Sequence, residues 1–236
     1  MRPSKLALLA TTMITSLLTL LPATAARADM VVIKASGPGV TLGQVVPVGA
    51  ALTLPANSRA TLVASDGRSV SLKGPFSGVV EEAKAAGGEH KTISTLAALL
   101  AANGTDSSSL LALRDGSSQR SPYSIDPEAK VHCQVSFEQP VLERDMGSSK
   151  DNLTISAATG AKASLVWPDF ETTLNWPKSV PLQDGDYVIR LASMSVPLPL
   201  IVHAVPADVK GLPAIAAWMS EHGCAKQAIR VLTGIR

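Results

Sequence analysis

The sequence lacks the motifs that usually indicate a chemical activity. It contains no Gly-x-Ser-x-Gly, Ser-x-x-Lys or His-Glu-x-x-His pattern, and its glycines form no phosphate-binding loop between a strand and a helix. The histidines are His90, His132, His203 and His222, and none has a neighbour in the sequence that completes a catalytic set. We therefore predict a non-enzymatic protein that needs no cofactor and no metal.

The chain also has little net charge. It contains 21 Lys and Arg against 19 Asp and Glu, and residues 1–28 hold three of the cations and none of the anions. The remaining chain, with 18 cations and 19 anions, is about neutral. It has no basic stripe with interleaved aromatic residues, which argues against binding to nucleic acid.

Only one long apolar run is present, and it lies at the N-terminus. Arg2 and Lys5 precede the run Leu6–Leu21, and small residues follow it up to Ala28. This order is typical of a secretory signal peptide, so we predict that residues 1–28 are removed after Ala28 and that the protein is periplasmic. The alternative is a retained membrane anchor, but the run contains several threonines and is shorter than the roughly 20 residues that a spanning helix needs.

Cysteine is scarce as well, and both cysteines follow the predicted cleavage point. In an oxidising compartment, Cys133 and Cys224 are expected to form a disulfide. The alternative is a reactive or metal-binding thiol. His132 and His222 lie close to the two cysteines in the sequence, but the spacing is not that of a zinc site.

A β-hairpin over Arg59–Gly78 gives the clearest structural signal. A three-residue loop, Ser65 to Gly67, pairs Leu62 with Val70 and Ala60 with Leu72, so that one face is apolar. This register requires Gly67 in the left-handed conformation, where only glycine sits without cost. The other face is polar, with Val63 as its exception.

The hairpin and the residues before it form a pattern of glycines, apolar strands and an Asp-Gly turn. The pattern consists of Gly49, Leu52, Leu54-Pro55, Arg59, Leu62, Asp66-Gly67, Leu72 and Gly74-Pro75. It resembles the FecR-type domain, a small β module of bacterial envelope proteins, over about residues 31–80. The resemblance implies β architecture and a role in periplasmic interaction. The best-known members of the family regulate sigma factors, but the predicted cleavable leader does not suit that role.

Periodicity divides the rest of the chain. Residues 29–114 are predicted to form the FecR-like β barrel or sandwich with a capping helix over Lys91–Ala102, and residues 115–129 are predicted to form a linker. Residues 130–236 are predicted to form a β-sandwich-like domain that ends in a helix pair. The predicted fold class is therefore mainly β. The boundaries predicted in this second part are Lys130–Phe137, Asn152–Ala157, Ala161–Trp167, Thr172–Trp176, Asp186–Ala192 and Pro199–Val205 for strands, and Leu212–His222 and Cys224–Leu232 for helices.

Two tryptophans are the candidate ligand contacts. Trp167 and Trp176 each precede a proline at the end of an apolar run, and an exposed indole could stack on a sugar ring. The alternative is that each ring closes one end of the core. Asp184 and Asp186 beside Gly185 are too few to form a calcium site.

These observations predict a binding or interaction module of the cell envelope. The partner is an envelope protein or a glycan whose identity the sequence does not give. Two alternatives remain open, namely a carbohydrate-binding module that uses exposed tryptophan and a component of envelope signalling.

Overall fold

A computed structural model describes residues 29–47, 49–80, 90–103, 121–135, 139–144 and 149–234. The predicted signal peptide, a short helical piece expected at Leu110–Arg114 and the first part of the predicted linker lie outside these ranges. The strands are β1 (Met30–Ser36), β2 (Val45–Val46), β3 (Ala51–Leu54), β4 (Arg59–Ala64), β5 (Ser69–Lys73), β6 (Phe76–Val79), β7 (Val131–Gln134), β8 (Val141–Glu143), β9 (Asp151–Ala157), β10 (Lys162–Trp167), β11 (Thr173–Asn175), β12 (Gly185–Leu191) and β13 (Leu198–Ala204). The helices are α1 (His90–Asn103), α2 (Leu212–Glu221) and α3 (Ala225–Gly234).

The fold is mainly β, as predicted, and α2 and α3 form the C-terminal helix pair. The strands of the described residues do not close into a barrel. In the N-terminal part they form a four-stranded sheet, in the order β2-β1-β4-β5, and a separate β3-β6 ribbon. None of the helices in these ranges is long and apolar enough to span a membrane.

The predicted register of the central hairpin is confirmed. Leu62 pairs with Val70 and Ala60 with Leu72, and Gly67 has a φ of 92° in the loop between β4 and β5. Val63, the apolar exception on the polar face, is fully buried. It belongs to a core cluster that includes residues of the helices. The helices therefore cover the sheet at Val63, which explains why this position of the polar face is apolar.

Both faces of this four-stranded sheet are covered at the start of β1 and around Val63, but the polar face of the β4-β5 hairpin is largely exposed. On one side, Val32 and Leu62 pack with Leu52 and Leu54 of the β3-β6 ribbon. On the other side, alternate residues of β1 and β4 face a layer of α1, α2 and α3. Strand β1 therefore begins with four consecutive buried apolar residues, the pattern expected of a strand that is buried on both sides.

The second part of the chain forms a five-stranded sheet in the order β10-β9-β12-β13-β7, in which only β7 and β13 are parallel. Its strands differ from the predicted bounds by no more than one residue, apart from a shorter β7. One face packs against a core cluster that includes Leu142 of β8, Trp176 and Val180. The β8-β11 ribbon belongs to this layer, although the sequence pattern did not predict β8.

The helices lie between the two parts of the molecule. A single core cluster contains Val31 of β1, Leu96 of α1, Cys133 of β7, Met219 of α2 and residues of α3. Helix α2 starts after Gly211 with proline in its first turn, as predicted. The helical layer is therefore common to both sheets, and the domain boundaries at residues 114 and 129 stay predictions.

The last residues of the predicted linker are anchored to the second part. Ile125 is buried, forms an isolated parallel bridge with Leu142, and exchanges backbone hydrogen bonds with β8. The alternation of residues in β7 predicts that Val131, Cys133 and Val135 face inward and that His132 and Gln134 face outward, but the second face is also buried. His132 and Gln134 on that face are both largely excluded from solvent.

Candidate functional site

The five-stranded sheet leaves one face open over four of its strands. We call this surface the outer face, and it consists of the side chains that alternate with the core residues of β9, β10, β12 and β13. It comprises Asn152, Thr154, Ser156, Lys162, Ser164, Val166, Asp186, Val188, Arg190, Pro199, Ile201 and His203. All twelve are exposed or half-buried.

An apolar strip crosses the outer face. Val188 is directly opposite Pro199 in the antiparallel pair of β12 and β13, and Ile201 follows on the same side of β13. Val188 is 38% exposed and Ile201 is 41% exposed. Antiparallel sheets with one wet face usually place polar residues there, so these three neighbours depart from the common pattern. We call Val188, Pro199 and Ile201 the apolar strip.

Charged residues border the apolar strip. Asp186 is opposite Ile201, and Arg190 lies two residues from Val188 on the same strand. Lys162 lies in the same row as Val188, because both pair with Ser156 of the strand between them. The surface thus combines an apolar centre with a rim of both charge signs, which is an arrangement found in protein interfaces.

A group of ring side chains lies where the outer face meets α2. We call His203, His222, Trp218 and Asp184 the histidine corner. His222 immediately follows α2, and Gly223, with a φ of 81°, turns the chain away. Because Trp218 and His222 are four residues apart on the helix, their rings stack with centroids 3.7 Å apart and planes 17° apart. The Nδ1 atom of His222 lies 2.8 Å from the carbonyl oxygen of Trp218.

Strand β13 supplies the second histidine. The ring of His203 lies 5.6 Å from that of His222, measured between centroids, at an interplanar angle of 64°. Its Nδ1 atom is 4.0 Å from Oδ1 of Asp184. The other carboxylate oxygen of Asp184 accepts a hydrogen bond of 3.2 Å from the backbone N–H of Ala204. Since His203 and Ile201 lie on the same side of β13, the histidine corner adjoins the apolar strip.

Both tryptophans that were predicted as ligand contacts are buried. Trp167 donates from its indole N–H to the carbonyl oxygen of Glu171, and the guanidinium carbon of Arg144 lies 4.7 Å from its ring centroid. Trp176 donates to the carbonyl oxygen of Val180 and makes an edge contact with Tyr187. Neither ring therefore offers a free face to a sugar. Their burial agrees with the alternative interpretation that each ring closes one end of the core.

The half-exposed tryptophan is Trp218, which the sequence patterns did not single out. One side of this residue packs against the helical core, and its ring also stacks on His222. Its spacing of four residues from His222 was the available signal, because such pairs meet on one helix face. The contact between His203 and His222 could not be predicted from the sequence, because it depends on how α2 packs against β13.

The predicted disulfide is confirmed. Cys133 and Cys224 are joined with a Cα–Cα distance of 6.1 Å, and both are buried. The bridge fixes the start of α3 to β7, and Gln227 of α3 adds a hydrogen bond of 2.8 Å from the backbone N–H of Cys133. The disulfide also holds His222 near the sheet, because Cys224 is only two residues further along the chain.

His132 does not share a site with these cysteines. It lies on the other face of β7, within hydrogen-bonding distance of the side chain of Gln134, at 3.1 Å. Burial lowers the pKa of His132 from 6.5 to about 4, against an opposing effect of the Gln134 hydrogen bond. His132 is therefore a neutral interior residue at physiological pH.

Within the described ranges, no group of three or more His, Cys, Asp and Glu side chains is arranged to hold a metal ion. No protein-family model and no curated protein matches this sequence. The resemblance of residues 31–80 to the FecR-type domain therefore stays a prediction.

Proposed function

We propose that this chain is an exported, non-enzymatic binding protein of the bacterial cell envelope, and that it engages a protein partner through the outer face. The observation that carries the proposal is the apolar strip on the uncovered side of a sheet whose opposite side is fully packed. The partner we expect presents apolar side chains to Val188 and Ile201, with charged groups of both signs around them.

The apolar strip lies in a region that the fold holds in place. Val188 lies on β12, which is paired on both sides, and its neighbours Tyr187 and Ile189 point into the core. A surface carried by such a strand loses little conformational freedom when a partner binds. This rigidity supports a recognition surface.

Export is supported by two independent features. The first 28 residues have the order of charged, apolar and small residues that is typical of a signal peptide. The buried Cys133–Cys224 disulfide suits an oxidising compartment such as the periplasm. The identity of the partner decides whether the binding serves envelope signalling.

A carbohydrate-binding role for Trp167 and Trp176 has lost its support. Sugar stacking needs an aromatic face that is open to solvent, and both rings are enclosed by protein. The apolar strip contains no aromatic residue that could replace them.

The outer face is tested by substitution at matched exposed valines. Val188 is 38% exposed on the outer face, and Val45 is 39% exposed on β2 of the other sheet. We expect Val188→Asp to abolish chemical cross-linking to a specific partner in intact cells, whereas Val45→Asp retains it. Both variants are expected to unfold at nearly the wild-type temperature.

Three results would contradict the proposal. One is that the wild-type protein cross-links to no specific protein, and another is that both valine variants cross-link as the wild type does. The third is a hydrolase activity of the purified protein that is lost on substitution of one of its own side chains.

A further inference from the structure

We propose that His203 and His222 bind one divalent transition-metal ion of the class that prefers imidazole, such as Cu²⁺ or Zn²⁺. The two histidines come from β13 and from the end of α2, and the fold brings them together at the histidine corner. His203 also belongs to the edge of the outer face, but metal binding at this site does not depend on the proposed partner.

The distance between the rings suits a shared ion. Zinc–nitrogen bonds are about 2.0–2.1 Å long, so two imidazoles on one ion have ring centroids on the order of 5 to 6 Å apart. The centroids of His203 and His222 are 5.6 Å apart, and their planes are inclined at 64°. Both side chains are half-buried, so an ion reaches them from solvent.

The hydrogen bonding of His222 presents the nitrogen that a metal needs. A carbonyl oxygen can only accept a hydrogen bond, so the contact of 2.8 Å with the oxygen of Trp218 places the proton on Nδ1. The lone pair of the neutral ring is then on Nε2. Metal-binding histidines usually donate their other ring N–H to a carbonyl or carboxylate in this way.

His203 has a related environment. Its Nδ1 atom faces Oδ1 of Asp184 at 4.0 Å, and the backbone N–H of Ala204 holds the second oxygen of that carboxylate. This contact is too long for a hydrogen bond, but the negative charge on this side favours the proton on Nδ1, which leaves Nε2 as the ligand atom. Asp184 is thus a positioning residue, and the protein supplies two ligands.

Two protein ligands leave the remaining coordination positions for water or for a group from another molecule. Four-coordinate metal sites that keep an open position are those that exchange ligands. The stacked ring of Trp218 fixes the plane of His222, and the disulfide at Cys224 fixes the backbone beside it. The pair is therefore largely preorganised before an ion arrives.

The stacked tryptophan also provides the readout. We would titrate the exported protein, prepared without a polyhistidine tag, with CuSO₄ and follow tryptophan fluorescence, together with calorimetry using ZnCl₂. One equivalent of Cu²⁺ is expected to quench part of the emission, and Trp218→Phe is expected to remove that part because the fluorophore next to the site is then absent.

Substitutions separate this site from weak surface binding. His203→Gln and His222→Gln are each expected to weaken binding at least about tenfold, and Asp184→Asn is expected to weaken it less. His90→Gln serves as the control and is expected to bind as the wild type does, and circular dichroism verifies that each variant is folded. The proposal is overturned if the wild type does not bind either ion, if only one of the two histidine variants weakens binding, or if His90→Gln weakens it equally.

Discussion

The two larger sheets of this molecule differ in how many of their faces are covered. The four-stranded sheet has the β3-β6 ribbon on one side and the helical layer on the other. The five-stranded sheet has a packed core on one side, and in the described residues the helices reach its second side at β7 and at His203 of β13. The first sheet is therefore covered on both sides at the start of β1 and around Val63, whereas the second has an open face, to which we propose that a partner binds.

The difference is visible in the strands themselves. Residues Met30 to Ile33, the first four residues of β1, are all buried and form a continuous apolar run. Strand β12 alternates between exposed and buried positions, with Tyr187 and Ile189 inside. Since alternation leaves one side for solvent, an apolar residue at an outward position, such as Val188, is the informative departure.

The largest effect is expected where the ribbon is held against the four-stranded sheet. A Cβ atom built at Gly74 would lie 1.8 Å from the backbone oxygen of Pro55 and 2.7 Å from Oγ of Ser58. Because a backbone oxygen cannot move aside cheaply, Gly74→Ala is expected to lower the free energy of unfolding by more than about 4 kcal/mol. Urea denaturation followed by circular dichroism measures the change.

Gly78→Ala is the matched control for that substitution. Its Cβ atom would lie 3.5 Å from the nearest carbon of Phe76, which is an ordinary contact, so the change is expected to stay within about 1 kcal/mol. Equal losses at Gly74 and Gly78 would show that the close approach at Gly74 does not hold the ribbon in place.

The next effect concerns the attachment of the helices to the five-stranded sheet. The disulfide spans a sequence separation of 91 residues. Replacement of both Cys133 and Cys224 by alanine is expected to lower the free energy of unfolding by about 2–5 kcal/mol. A reducing agent is expected to destabilise the wild type and to leave the double variant unchanged, and a wild type that is insensitive to reduction would contradict this role.

Acid is expected to destabilise the protein through His132 of β7. The pKa of His132 is about 4 in the folded protein and near 6.5 when unfolded, so the unfolded chain binds more protons between these values. The contribution of His132 to the free energy of unfolding is therefore fully present above about pH 6.5 and is lost as the pH falls toward 4. This residue alone is expected to remove about 2 kcal/mol between pH 7 and pH 4.5.

Comparison with His132→Gln isolates that contribution from the carboxylates, which also respond to acid. The variant is expected to lose about 2 kcal/mol less than the wild type over the same interval, measured by urea denaturation at each pH. Parallel pH profiles for the two proteins would mean that folding does not lower the pKa of His132.

Local patterns predicted much of this fold. The hairpin register followed from the pairing of Leu62 with Val70 and from the need for a glycine at position 67, both of which are properties of neighbouring residues. The disulfide followed from the count of cysteines and the expected compartment. The C-terminal helix pair followed from apolar spacing, together with the proline at 213 and the glycine at 223.

The features that local patterns missed depend on packing between distant elements. Val63 is an apolar exception in a polar face of the hairpin, and its burial depends on the helices that cover it. His132 and Gln134 have the pattern of the polar side of a half-buried strand, but both are buried. The position of Trp167 and Trp176 at strand ends did not indicate whether their rings are buried or exposed, and the structure shows that they are buried. For the candidate site, only the spacing of Trp218 and His222 was present in the sequence.

The most direct test of the difference between the two sheets is the free energy of unfolding of Val63→Thr and Val188→Thr in urea. Valine and threonine have the same shape, so the change measures the cost of placing a hydroxyl group in each environment. At Val63, which is fully buried, we expect a loss of about 1–3 kcal/mol, and at Val188, which is 38% exposed, a loss below about 0.5 kcal/mol. Equal losses at the two positions would contradict the conclusion that the helices cover the first sheet at Val63 while the second sheet is open to solvent at Val188.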